Sequence, residues 1–178
     1  MDDDQNGRRP SRGDLEQWFD DVLTTYGAAL GRLAASYVRD SGEREDLLQE
    51  IVFAIWQALP RFRGQSSERT FLFRIAHNRA MTHLARRRMA AVEPDEYIED
   101  AAPNPERALS VRQEGERLLE AIRRLPLAYA QVVTLTLEGL SYAEVADVLG
   151  ITETNVGARL TRSREMLRHL LRPTNDRR

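Results

Sequence analysis

Residues 140 to 172, LSYAEVADVLGITETNVGARLTRSREMLRHLLR, carry the punctuation that most limits how this chain can fold. Ser141 followed by Glu144 forms a capping box, which satisfies the free N–H groups that open a helix. Gly150 follows Leu149 where a helix ends in a left-handed residue. Thr152 then offers its hydroxyl as the next N-cap. Two helices separated by three or four residues have the spacing of a helix–turn–helix. Such a unit brings a helix end into a major groove, so nucleic-acid recognition is the function it predicts.

The second helix of the pair divides into faces at about 100° per residue. Val156, Leu160, Leu167, Leu170 and Leu171 share an arc that must be buried. Asn155, Ala158 and Arg162 fall together elsewhere, with Arg159 on their flank, Thr154 in the first turn and Thr152 at the cap. These residues are free to meet base edges or phosphates. Arg binds guanine through two hydrogen bonds, and Asn does the same with adenine. From Val156 to Arg172 there are five arginines against one acid, Glu165. The competing reading is a solvated charged face on a terminal helix. The preceding capped helix, the tight turn and the small Ala146 at a helix crossing favour DNA.

Charge is segregated along the chain although the net charge is only −2. Residues 61 to 88 hold eight arginines and one acid, and residues 92 to 120 hold nine acids and three arginines. Local fields of this kind steer partners more than net charge does. All 26 basic residues other than histidine are arginine, which we read as genomic base composition. The chain has no cysteine, so disulfides and thiolate chemistry are excluded and a reducing compartment fits. No apolar run approaches membrane-spanning length, and the N-terminus lacks the apolar core of a signal peptide. The expected location is the cytoplasm.

The expected architecture is all-α: two small helical domains, with separate cores, joined by a flexible acidic linker. Residues 1–13 are expected to be disordered. A first domain spans 14–89, with helices over 14–39, 43–59 and 69–88 and a polar loop, RFRGQSSE, over 61–68. Residues 90–105 contain three prolines and a cluster of acids, and read as the linker. The second domain spans 106–172, with helices at 105–124 and 127–138 ahead of a winged-helix-like helix–turn–helix, and 173–178 form a disordered tail.

The first domain has two surfaces to explain. On its second helix, Leu47, Leu48, Ile51, Val52, Ile55 and Leu59 share the core arc, while Asp46, Gln49, Glu50 and Gln57 face away with Phe53 among them. An aromatic on a polar face is a candidate protein contact, unless it packs under a neighbour. On the third helix, Leu72, Ile75, Ala76, Ala80 and Leu84 share the core arc. Thr70, Arg74, His77, Asn78 and Met81 are expected to project outward, with Phe71 at the border and Arg86, Arg87 and Arg88 beyond. Basic groups interleaved with an aromatic suit a nucleic-acid backbone with a base stacked nearby, and also suit an ordinary basic surface. Phe62, Gly64, Ser66 and Ser67 precede this helix as small polar and aromatic groups able to line a pocket for an unstacked base.

With these residues in view, DLLQEIVFAIWQALPRFRGQSSERTFLFRIAHNRAMTHLARRR (46–88) resembles conserved region two of the bacterial extracytoplasmic-function (ECF) sigma factors. Residues 118–171 resemble their region four. The resemblance implies a detachable specificity subunit of RNA polymerase. It places Asp46, Gln49, Glu50 and Phe53 on the clamp of the largest polymerase subunit, and the C-terminal domain at the flap of the second-largest. It assigns the −10 promoter element to residues 61–79. Phe62, Arg63, Gly64, Ser66 and Ser67 would hold a flipped base, and Thr70, Phe71, Arg74, Asn78 and Arg79 the single strand, although the arc puts Arg79 nearer the core. It assigns duplex −35 DNA to Thr152, Thr154, Asn155, Ala158, Arg159 and Arg162. It runs the acidic linker toward the RNA exit path and leaves exposed faces for an anti-sigma factor. Two residues depart from the pattern: Phe71 stands where tryptophan is usual, and TNVGARL replaces GTVKSRL or GTVRSRL, with Gly157 at a cationic position and Ala158 at a hydroxyl.

Other chemistries are rejected. His77, His83 and His169 lack metal-ligand spacing, no catalytic motif is present, and no cofactor is expected. The remaining alternatives are a polymerase-independent helix–turn–helix regulator, disfavoured by the N-terminal match and the missing heptad stripe, and a small helical enzyme, which lacks any convergent catalytic set.

Overall fold

A computed structural model describes residues 11–90 and 109–172. The expected tail, the expected linker beyond Ala90 (which ends the third helix), and all but the last three residues of the expected N-terminal stretch lie outside them. The described residues form seven α-helices and a single 3₁₀ turn at Leu59–Arg61, with no strand. The helices are α1 (Arg12–Tyr37), α2 (Ser41–Ala58), α3 (Glu68–Ala90), α4 (Leu109–Arg123), α5 (Leu127–Leu137), α6 (Tyr142–Leu149) and α7 (Glu153–Leu170). The all-α expectation holds there. The winged-helix-like expectation does not: α4 to α7 are joined by turns, and no β wing accompanies them among the described residues.

Helix α1 starts earlier than the sequence suggests. Ser11 caps it by accepting the Asp14 N–H at 3.2 Å, while Asp14 Oδ2 accepts the Ser11 N–H at 2.9 Å. Residues 11–13 are therefore ordered by a reciprocal cap rather than disordered. Asp40 caps α2 through the Glu43 N–H at 2.8 Å. Ser67 opens α3 by accepting the Thr70 N–H at 3.1 Å.

The N-terminal core is built from Val22, Leu30 and Leu33 of α1, Leu47, Ile51 and Ile55 of α2, and Leu72, Phe73, Ala76 and Ala80 of α3. Phe73 is fully buried, and the sequence reading left it out although it lies about 20° from Ala80 on the same arc. The C-terminal core is built from Ile122, Val132, Leu135, Val145, Val148, Val156 and Leu160. Leu171 departs from the expected buried arc: it is the C-cap residue just past the end of α7 and stands 45% exposed.

Separate cores are not what the chain builds. The buried apolar residues of both halves join into one cluster, with α6 laid along α3 and with α4 and α5 against α1. Two residues expected to project outward are buried as a result: Thr70 is 2% exposed and His77 8%. The buried arc of α3 extends past the roughly 100° stripe of a helix packed on one neighbour, since α2 lies on one side of it and α6 on the other. The His77 Nδ1 lies 2.8 Å from the Tyr37 hydroxyl, and the Gln131 amide donates to the Met81 sulfur at 3.1 Å. Burial pushes the Tyr37 phenol above its ordinary range and the His77 imidazole below its own, so both are neutral at neutral pH.

Candidate nucleic-acid interface

The C-terminal reader is assembled by the punctuation seen in its sequence. Ser141 accepts the Glu144 N–H at 3.3 Å, and Glu144 Oε2 accepts the Ser141 N–H at 2.9 Å. Gly150 ends α6 at φ +65°, which glycine adopts without a Cβ penalty. Thr152 opens α7 by accepting the Asn155 N–H at 3.2 Å. Thr152, Thr154, Asn155, Ala158 and Arg162 are exposed and Arg159 is half-buried. Val156 and Leu160 anchor the opposite face. Arg159 Nε donates to Asn155 Oδ1 at 3.0 Å, so the amide and the guanidinium are held as one unit. The Ala158 methyl is open for contact with a thymine methyl.

Gly157 lies within α7, and a β-carbon added there would sit 3.7 Å from the Tyr142 ring, an ordinary contact. Packing therefore does not demand glycine. Gly157→Ala is expected to raise stability by up to about 1 kcal/mol, the difference in helix propensity, measured by urea denaturation. An unchanged or lower midpoint would mean that the ring resists the methyl.

The N-terminal surface consists of a braced loop and one face of α3. Phe62 is half-buried, its ring centroid 5.7 Å from that of Trp18 and 4.7 Å from that of Phe71. Trp18 Nε1 donates to Glu68 at 2.6 Å, which ties α1 to the start of α3. Phe62 thus holds the loop down, and Phe71 is one of its packing partners. Gly64 turns the chain at φ +67°. Arg63, Gly64 and Asn78 are exposed, while Ser66, Arg74 and Arg79 are half-buried.

Ser67, Thr70 and Arg74, all assigned from sequence to one surface, do lie together, and all three contact α6. Both hydroxyls donate to Glu144 Oε1, Ser67 at 2.8 Å and Thr70 at 3.0 Å. Arg74 pairs with Asp147. Beside them Arg69 Nη1 donates to the Gly139 carbonyl at 3.2 Å. Sequence reasoning missed Arg69 and the second use of Glu144, since the partners lie some 70 residues away. The Ser141 N–H first and the Ser67 hydroxyl next draw the Glu144 carboxyl down to about 2.

A third patch lies on α2. Asp46 and Gln49 are exposed, and the Phe53 ring is 60% exposed, so the reading that packs Phe53 under a neighbour fails. Glu50 accepts from Arg86 at 2.6 Å and lies 3.5 Å from His83, which fixes its carboxylate at the rim of this patch. Among the described residues there is no group of three or more His, Asp or Glu placed to hold a metal ion. No described helix is long and apolar enough to cross a membrane.

Two family models match the chain: Sigma-70 region 2 over residues 22–89 and Sigma-70 region 4 over 115–167. The RNA polymerase sigma-H factor of Pseudomonas aeruginosa is 34% identical over 96% of this chain and 94% of its own length. The ECF RNA polymerase sigma-E factor of Escherichia coli is 30% identical over 93% of this chain and 92% of its own length. This chain belongs to the ECF family of sigma-70 factors. Among solved structures, CnrH in complex with the cytosolic domain of CnrY matches with a TM-score of 0.65 and 26% identity, over 88% of each chain. The sigma factor RpoE of Bartonella quintana, solved with the anti-sigma factor NepR, shares the fold with a TM-score of 0.72 and 23% identity, over 91% of this chain and 99% of that one. Region 2 of the sigma factor thus supplies the braced loop and α3, and region 4 supplies α6 and α7.

Proposed function

We propose that this sigma factor binds core RNA polymerase, recognises a bipartite promoter and starts its melting. Region 2 spans residues 14–89 in this reading and region 4 spans 106–172. Asp46, Gln49, Glu50 and Phe53 dock on the clamp of the largest subunit, and region 4 docks at the flap of the second-largest. The loop with Phe62, Arg63, Gly64, Ser66 and Ser67 receives a base flipped from the non-template strand of the −10 element. Thr70, Phe71, Arg74, Asn78 and Arg79 hold the strand beside it. Flipping costs a few kcal/mol, which stacking and phosphate contacts offset at about 1–3 kcal/mol per stacked base. Thr152, Thr154, Asn155, Ala158, Arg159 and Arg162 read the −35 element as duplex.

One observation carries the reading: an exposed, capped reading helix on one half of the molecule accompanies a rigid, arginine-flanked loop and helix on the other. An anti-sigma factor is a further partner, on the strength of the family. The proposed location is the cytoplasm, at the nucleoid with polymerase.

Run-off transcription with purified core polymerase and a genomic template library tests the reading. Start sites sharing paired −10 and −35 sequences are expected, and no initiation from any natural template would end it. Tight duplex binding by the free chain would favour the polymerase-independent regulator. Arg162→Ala is expected to weaken duplex −35 binding about tenfold, within the roughly 1–3 kcal/mol of a base-edge or phosphate contact, and to leave binding to a pre-melted −10 strand intact. Fluorescence anisotropy with the two DNAs measures both.

A further inference from the structure

Asn155 and Arg159 stand one helical turn apart at the capped start of α7, the end of a reading helix that meets base edges. Arg159 Nε donates to Asn155 Oδ1 at 3.0 Å. A guanidinium carries five N–H donors and no acceptor. The atom that faces it must therefore be the carbonyl oxygen of the Asn155 amide, not the nitrogen, and the bond fixes which way the amide points. It uses one lone pair of that oxygen and sets a positive charge beside the other. A second donor approaching the oxygen is opposed by that charge, while the amide NH2 stays free to donate. Arg159 spends one N–H group on the tether and keeps both terminal nitrogens. Among the described residues no carboxylate pairs with it, and its half-buried stem holds the guanidinium beside Asn155.

The neighbours on this face do not supply an acceptor in its place. Gly157 and Ala158 bring no polar side-chain group, and Arg162 adds only donors. The Thr152 hydroxyl oxygen already takes the Asn155 N–H at 3.2 Å. Thr154 lies about 100° round the helix from Asn155. In the major groove guanine alone presents two adjacent acceptors, N7 and O6. Adenine sets a donor at N6 beside its acceptor, and cytosine offers a donor at N4. A free asparagine matches adenine because it brings one donor and one acceptor; the tethered one brings a donor next to a cation. We propose that Asn155 and Arg159 act as one donor fork that selects guanine in the −35 element, and that the tether keeps Asn155 from reading adenine. The inference rests on the −35 reading of α7. Arg159 then has two tasks: its terminal nitrogens take guanine, and its Nε bond decides what the neighbouring amide can accept.

The test cuts the tether from each end. Arg159→Met removes the guanidinium but keeps an unbranched apolar stem for the half-buried site, and Asn155→Ala removes the amide while leaving the Thr152 cap. A cooperative thermal melt confirms that each variant is folded. The full chain and both variants are joined to core polymerase on a promoter mapped by run-off, with each −35 base pair randomised in turn. Sequencing of barcoded run-off transcripts measures the preference among the four bases at each position. The parent is expected to prefer guanine over adenine about tenfold at one base pair, the scale of a bidentate contact. Arg159→Met should reverse that preference at the same base pair, since the freed amide then has both a donor and an acceptor for adenine. Asn155→Ala should keep guanine first, by a smaller margin.

A gain of adenine is the deciding result, because loss of a cation that merely met phosphate lowers initiation on all four bases alike. Such a uniform loss in Arg159→Met would overturn the proposal. So would an adenine preference in the parent at the base pair the substitutions affect, and so would a loss of guanine preference with no gain of adenine. In each of those cases the parent still discriminates within the −35 element, so the −35 reading stands while the fork falls. If the parent is indifferent at every randomised −35 position, the −35 reading itself fails and the inference fails with it.

Discussion

Replacing Arg74 and Asn78 together with alanine is expected to slow open-complex formation about a hundredfold, while affinity for core polymerase stays within about twofold. The size follows from two lost strand contacts at roughly 1–3 kcal/mol each, with about 1.4 kcal/mol per tenfold. Core affinity should hold because Asp46, Gln49 and Phe53 are exposed on α2, a different helix from the one that carries Arg74 and Asn78. Arg74 pairs with Asp147 in the structure and is assigned to the strand in the proposed function. Permanganate reactivity of unpaired thymines measures melting, and fluorescence anisotropy with labelled core measures docking. An equal loss in both would count against the assigned roles.

Phe73→Ala is expected to destabilise the whole chain by about 3–5 kcal/mol, the range for an aromatic truncated in a packed core. Phe73 is among the largest fully buried side chains, on a helix covered from two sides. Its removal leaves a cavity that neither α2 nor α6 can fill without giving up its own contacts. For a chain of this length a loss of that size lowers the melting temperature by roughly 10 °C. Calorimetry measures it, and a shift below about 3 °C would mean that the core collapses onto the gap. Truncating Phe53 provides the contrast, because its ring is already 60% exposed and little stability should be lost.

Local signals proved readable wherever the cause was local. Ser141, Glu144, Gly150 and Thr152 act within four residues of their partners, and each does in the structure what its position suggests. The apolar arcs of α2 and α7 likewise emerge as Leu47, Ile51 and Ile55, and as Val156 and Leu160. What escaped depends on distant neighbours. Thr70 and His77 are polar at outward spacing, so periodicity leaves them in water; α6 and Tyr37 bury them. Arg32 and Glu138 lie 106 residues apart, and nothing in either local sequence names the other. Phe73 is a different case, since its spacing from Ala76 and Ala80 did mark it. The candidate site divides in the same way. The exposed face of α7 was legible from one helix, whereas the partial cover over Ser67, Thr70 and Arg74 requires knowing how two regions meet.

The brace formed by Trp18, Phe62 and Phe71, with the Trp18 indole also tied to Glu68, has an entropic consequence. A receptor already shaped before its guest arrives loses little freedom on binding. If the loop receives a promoter base as proposed, the work done on a promoter goes into distorting DNA instead of ordering protein. Discrimination should accordingly track how willingly each sequence unstacks, with ill-fitting bases refused by a wall that cannot reshape itself around them.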